Sequence, residues 1–230
     1  MHLVNTEFLL ELSNKTSAVL DANRTLWLPE HDILVISDLH IGKAQHFRKH
    51  GIPIPMEAAL RNLELFSASI VKRKPKQLIL LGDLFHSTLN NEWELLITAI
   101  NRLQSIHNFE IILTVGNHDI LSDEDYQQLS LRCLPWYDVG ELRFVHEPTN
   151  GQILPNSITI CGHLHPGVTI TGKAKNRIKL PCFGLSNCCL YMPSFGNLTG
   201  AIGMEWPKDA RTWAILNSEF LQEIKTENRL

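Results

Sequence analysis

Four short runs of branched apolar residues set the rhythm of the chain, and each breaks off into side chains that can bind a metal. Positions 33–36 lead into Ser37, Asp38, Leu39 and His40, and positions 78–81 into Gly82 and Asp83. Positions 111–115 lead into Gly116, Asn117, His118 and Asp119, and positions 158–161 into Gly162, His163, Leu164 and His165. Runs of this length, ended by glycine or polar residues, predict buried strands that open into loops. Between the first three runs, apolar residues recur at helical spacing. Leu60, Leu63, Phe66 and Ile70 mark a helix over 56–72, and Trp93, Leu96, Ile97, Ile100 and Leu103 another over 92–105. Strand, helix, strand, helix, strand is the order of a parallel sheet with crossover helices, and such sheets bind ligands at their carboxyl ends.

The pattern changes on either side of this block. Residues 1–12 read as a fraying lead-in with Phe8, Leu9 and Leu10 docking on the body. Positions 18–20 and 25–28 predict a hairpin turned through Asp21 to Arg24. After His40, residues 42–55 read as a long polar connection. Past Asp119, Ser122 is placed to cap a short helix toward Leu131, and 136–146 predicts a hairpin turned at Gly140. Short strands then follow at 157–161, 168–171, 178–185, 188–192, 200–205 and 213–216. The expectation is one domain over 1–230, with a βαβ front half and an antiparallel back half.

Composition narrows the class. The chain has 230 residues, 44% hydrophobic and 20% charged, enough for one compact core, and its net charge of −3 leaves any basic surface local. No stretch approaches the roughly 18 consecutive apolar residues of a membrane span, and the first residues lack a secretory pattern. Five cysteines without C-x-x-C spacing fit reduced thiols in a cytoplasmic protein, with Cys161 and Cys182 as packing residues.

A carboxylate and an imidazole are ordinary metal ligands, and Asp38 and His40, two apart in extended backbone, would point to one side. One such pair says little, but it is followed by Asp83, then Asn117-His118-Asp119, His146, and His163-Leu164-His165. This ordered series resembles the calcineurin-like metallophosphoesterases. The stretches Asp38-Leu39-His40-Ile41-Gly42-Lys43-Ala44, Phe47-Arg48, Gly51-Ile52-Pro53-Ile54-Pro55, Leu180-Pro181-Cys182-Phe183 and Pro193-Ser194-Phe195-Gly196 are similar, more narrowly, to the bacterial ligase-associated DNA damage response endonuclease family.

The resemblance implies an α/β fold of mixed, sandwiched β-sheets flanked by helices, with the site at strand carboxyl ends. It implies two divalent metals, manganese first with iron or zinc as alternatives, roughly 3.5 to 4 Å apart and holding a hydroxide that attacks a phosphodiester. Asp83 would bridge them. Asp38, His40 and His165 would complete the first site, and Asn117, His146 and His163 the second, although Val145 stands where the family often has glycine. His118 would contact phosphate and assist the leaving oxygen, with Asp119 orienting its imidazole.

The activity expected is DNA endonuclease chemistry in repair, on single-stranded or flexible DNA, in functional association with a DNA ligase, a helicase and an exonuclease, in the cytoplasm. A small-molecule phosphodiesterase or phosphatase, or a non-catalytic binding module, remains the alternative. His86 could contact phosphate or be a loop histidine. Arg48 and Phe47 could grip substrate or merely pin a loop. Lys173, Lys175, Arg177 and Lys179 could wall a nucleic acid or be solvated, and the run from Lys72 to Lys76 reads as a solvated helix end.

Overall fold

The apolar runs pair into two β-sheets in the computed structural model, which describes residues 5–86, 89–148, 157–171 and 176–224. The first sheet follows the chain in order: β1 (Glu7–Glu11), β2 (Ser17–Asp21), β3 (Thr25–Leu28), β4 (Ile33–Ser37), β5 (Gln77–Leu81), β6 (Glu110–Thr114) and β7 (Leu131–Leu134). Pairing is antiparallel up to β4 and parallel from β4 to β7. The crossovers carry α1 (Lys43–Lys49) and α2 (Met56–Arg73), then α3 (Asn91–Ile106), then α4 (Asp123–Gln127).

The second sheet contains β8 (Trp136–Val139), β9 (Leu142–Val145), β10 (Ile158–Cys161), β11 (Pro166–Thr171), β12 (Arg177–Ser186), β13 (Cys189–Tyr191) and β14 (Ile202–Gly203), with β15 (Arg211–Leu216) and β16 (Phe220–Ile224) added beside β12. Its spatial order is β14-β11-β12-β13-β10-β9-β8.

Side-chain alternation decides which layer each residue joins. Val35, Ile79, Leu81 and Ile112 pack against Phe144, Ile160, Phe183, Leu190 and Trp213 between the sheets. Their neighbours Leu34, Ile36, Leu78, Leu80, Ile111 and Leu113 pack on Phe66, Ile70, Trp93, Leu96 and Ile100 of the helices. The strands are covered on both faces, which is why they read as continuous apolar runs. The sandwich with helices on one outer face is the fold class expected from the resemblance.

Several elements differ from the sequence reading. Residues 7–11 form a complete edge strand, with Leu10 buried and Phe8 5.4 Å from the Trp213 ring, because alternation there matches β2. The connection after His40 contains α1, whose residues are mostly good helix formers. Leu60 is exposed, since α2 turns that position away from the sheet. The helix begun by the Ser122 capping box stops at Gln127, because Leu131–Leu134 pairs with β6. The back half is mixed, with β10 parallel to both β9 and β13. Lys72 and Arg73 bond Glu7 and Asp21, tying α2 to β1 and β2 in place of a fully solvated helix end. Lys173 and Lys175 lie outside the described residues. No described helix is long and apolar enough to cross a membrane.

Ile160 is fully buried between the sheets, whereas Ile178 is 61% exposed. Ile160→Ala should cost about 2–5 kcal/mol of unfolding free energy and Ile178→Ala within about 0.5 kcal/mol of zero, read from urea denaturation midpoints.

Candidate metal centre

β4 and β5 run parallel with Ser37 opposite Leu81, so their carboxyl ends deliver Asp38 and Asp83 side by side. The two chains stay paired beyond the strands, through His40 N–H to the Asp83 carbonyl at 2.9 Å and Ile41 N–H to the Leu84 carbonyl at 2.9 Å. Asp38 and His40 are not in extended backbone as their spacing suggested. Their φ values are 51° and 47°, and Asp83 follows at 48°. From the second sheet, β9 leads straight into His146, and parallel β10 leads through Gly162 into His163 and His165, with φ of 65° and 44°. Left-handed backbone at five candidate ligands turns each side chain toward one point.

The donors fall into two groups. In Asp38, His40 and His165, one ligand atom from each lies within 4.8 Å of the others, and the same holds for Asp83, His146 and His163. Asp83 faces both: its Oδ2 is 3.7 Å from His40 Nε2 and its Oδ1 is 3.5 Å from His146 Nε2. Asn117 Oδ1 joins the second group, 3.2 Å from His146 Nε2. His146 Nδ1 lies 3.0 Å from the Leu81 carbonyl, a bond it can make only as donor, so Nε2, 3.1 Å from His163 Nδ1, is the nitrogen directed at the second group.

Both ring nitrogens of His40 and the Nε2 of His165 are buried without a hydrogen-bond partner among the described residues. Burial, with the nearby Lys43, His165, His86 and His118, pulls the His40 imidazole down to about 2, so it is neutral and able to coordinate. Orphaned lone pairs facing two buried carboxylates are the chemistry of a divalent cation site with mixed nitrogen and oxygen ligands. The residues present fit two such ions.

The surrounding residues hold these donors in place. His163 N–H reaches Asp38 Oδ2 at 3.1 Å, and the Ser37 hydroxyl donates to the same oxygen. Asp119 does not serve the His118 ring. Its carboxylate accepts the amides of Asp83, Leu84 and Gly116, each at 2.8 Å, because it turns back under the Asp83 loop. Gly82 has φ of 64°, and a Cβ there would fall 2.2 Å from His146 Nδ1.

His118 lies outside both donor groups, exposed, with its ring 5.6 Å from that of His40 and 4.9 Å from that of His86. His86 sits 5.2 Å from both His40 and His46, and its Nδ1 is buried without a partner. Burial, Lys43 and the two neighbouring imidazoles lower it to about 4. Arg48 is already engaged, with the Ile54 carbonyl at 3.1 Å and Glu92 at 3.3 Å, so it pins the loop after α1. Phe47 is half-buried, and its carbonyl accepts the amides of His50 and Ile52.

Glu92 is the residue that sequence reading missed. Buried on the first turn of α3, it accepts the amides of Gly42 at 2.8 Å and Gln45 at 3.0 Å and so caps α1 from another element. Its only linear signal is an acidic residue early in a helix, which ordinarily reads as solvated.

Because Asp119 supports the Asp83 loop, Asp119→Ala should weaken manganese binding about 10- to 100-fold in calorimetric titration. A normal affinity with only a slower turnover would instead indicate that it acts on His118.

The comparisons with known proteins agree with this geometry. The family model described as calcineurin-like phosphoesterase matches residues 31–200, a span that holds every candidate ligand. Among solved structures, the chain is similar to the crystal structure of Pseudomonas putida nuclease MPE. The TM-score is 0.74, with 22% identity over 95% of this chain and 100% of that chain, a likeness of fold. It is also similar to a protein of unknown function, AQ665 from Aquifex aeolicus, at a TM-score of 0.37 and 18% identity over 58% of this chain and 78% of that chain. No curated protein gives a match. With three quarters of its length under one family model and paired donor groups at the strand ends, the chain belongs to the calcineurin-like phosphoesterases and is a metal-dependent phosphoesterase.

Proposed function

We propose that the chain is a two-metal phosphodiesterase that cuts single-stranded or flexible DNA in repair, with manganese as its working metal. The carrying observation is Asp83, whose two oxygens face separate donor groups, as a carboxylate shared by two cations would. In this reading Asp38, His40 and His165 hold one ion and Asn117, His146 and His163 the other. Two divalent cations at such a site supply Lewis acidity and a nucleophile at neutral pH.

The chain's own residues do the rest. Lys43, held by Thr199 Oγ1 at 3.1 Å, lends positive charge near Asp38 and Asp83 and attracts the phosphate. His118, exposed beside His40 and His86, faces the phosphate and holds the proton that the departing oxygen takes. His86, beside His40 and His118, lines the approach to the phosphate. With Arg48 committed to Glu92, the cationic side chains beside the ligands are few, which favours a singly charged diester over a monoester.

The similarity of fold to Pseudomonas putida nuclease MPE supports polynucleotide as substrate. A cytoplasmic setting accords with Cys161 and Cys189, whose sulfurs lie 3.4 Å apart with no disulfide between them. Functional association with a DNA ligase, a helicase and an exonuclease belongs to the same reading and is open to co-purification.

Purified chain with manganese should cleave bis-nitrophenyl phosphate faster than nitrophenyl phosphate and should nick single-stranded DNA; prior chelation should abolish all three. Good diester cleavage without any cut in single-stranded or duplex DNA would move the substrate to small molecules. His118→Ala should keep metal binding and lose at least tenfold more on DNA than on the nitrophenyl diester, whose leaving group needs no proton.

A further inference from the structure

Behind the turn of Asp38, the chain has a cleft of about 940 Å³ that no step above uses. It lies between α2 and the turns after β2 and β15, and its walls include Arg24, Arg61, Asn197 and Asn217. Arg24 occupies the β2–β3 turn with φ of 64°, an unusual conformation for a long side chain. Its Nη1 donates to the Ser194 carbonyl at 3.1 Å, and its Nε is buried without a partner. Neither Arg24 nor Arg61 makes an ion pair among the described residues. Arg61 is exposed, but a half-buried guanidinium such as that of Arg24, with no carboxylate beside it, is unusual, because desolvating a cation costs energy that a partner normally offsets.

The cleft shares a wall with the metal centre. Ser194, which accepts from Arg24, also donates through Oγ to the Asp38 carbonyl at 3.0 Å. Five residues on, Thr199 accepts from Lys43. The segment 194–199 is therefore held by a cation at each end, one facing the candidate ligands and one facing the cleft. Five Cα steps span at most about 18 Å. A polymer with a phosphate in every unit can reach both places within that span.

We propose that the cleft between Arg24 and Arg61 is a second phosphate site, which holds a backbone phosphate of the polynucleotide strand several nucleotides from the bond being cut. This rests on the polynucleotide reading above. Arginine forks and asparagine amides are the usual grips on phosphate oxygens, and they give register without reading sequence. Glu57 and Glu219 also line the cleft and balance its formal charge, so the acids tune its affinity. Glu57 stands one helical turn before Arg61 and provides a variant of opposite sign.

The test is fluorescence anisotropy with a labelled dinucleotide and a labelled single-stranded oligomer of about sixteen nucleotides, in wild type, R61E, R24Q and E57Q. R61E should weaken the long oligomer about tenfold and lower its salt slope by about one. The dinucleotide, and hydrolysis of the small diester, should stay unchanged. R24Q should act in the same direction, while E57Q should tighten the long oligomer, an effect that misfolding cannot imitate. Equal effects on both lengths, or none from R61E and E57Q, would overturn the proposal. So would a free mononucleotide that binds as tightly as the oligomer and depends equally on Arg61, because the cleft would then serve a soluble nucleotide. Oligomers bound through Arg61 but never cut would sink the nuclease reading and leave the cleft standing; oligomers cut regardless of Arg61 would do the reverse.

Discussion

Two aspartates without access to water, at the ends of adjacent parallel strands, pose the electrostatic problem around which this fold is arranged. Asp38 is 0% exposed and Asp83 2%. Two bare carboxylates in such a place repel each other and lose their hydration, a cost of several kcal/mol each unless donors or cations replace the water. Part of the compensation is backbone: His163 N–H on Asp38 and His118 N–H on Asp83 Oδ1 at 3.0 Å. The rest falls to the cations that the two donor groups would hold, and His146, His163 and His165 of those groups come from a different sheet, so the two halves of the sandwich meet at the site as well as in their apolar core. The second sheet must present β9 and β10 in parallel for this, because only then do both carboxyl ends meet those of β4 and β5.

The same requirement accounts for where the backbone is strained. Asp38, His40, Asp83, His163 and His165 all have positive φ, and each pays for that conformation on the order of 1–3 kcal/mol. A loose loop would relax. Here the strands behind the loops are fully buried on both faces, and Asp119 clamps three amides around the Asp83 turn. Rigid packing thus holds side chains in the directions that ligation needs. Gly82 and Gly162 matter for the complementary reason: a Cβ would strike His146 Nδ1 at 2.2 Å and Ser37 Oγ at 1.9 Å, respectively, so these sites accept no side chain.

What the sequence makes legible follows from these forces. Buried parallel strands need unbroken apolar runs, and the residues after them cannot be ordinary polar loop if they sit at neighbouring strand ends. The strands and the polar set around Asp38, Asp83, Asn117, His146, His163 and His165 can therefore be read in one dimension. Direction of pairing cannot: β10 looks the same whether its neighbours run with it or against it, so the back half reads as antiparallel. β16 escapes because Phe220–Ile224 alternates weakly, with Leu221 its one buried residue. The partner of a side chain is equally hidden. Asp119 adjoins His118 in sequence, yet its oxygens turn to the amides of another loop, since three donors outcompete one exposed ring.

Arg48 shows how a partner hidden from the sequence conceals structure that the site depends on. An arginine two residues past His46, in a loop beside phosphate chemistry, looks like a substrate contact. Its guanidinium instead completes a buried carboxylate, Glu92, that also accepts Gly42 and Gln45 amides. Without a cation nearby, that carboxylate would be costly to bury, and without the carboxylate the first turn of α1 would leave its amides unsatisfied. The arrangement fixes where α1 starts, and the start of α1 is what carries Lys43 to Thr199 and the His46 ring to within 5.2 Å of His86. Arg48 therefore acts on the site through the helix it secures, which sets one cation and one imidazole beside the buried aspartates.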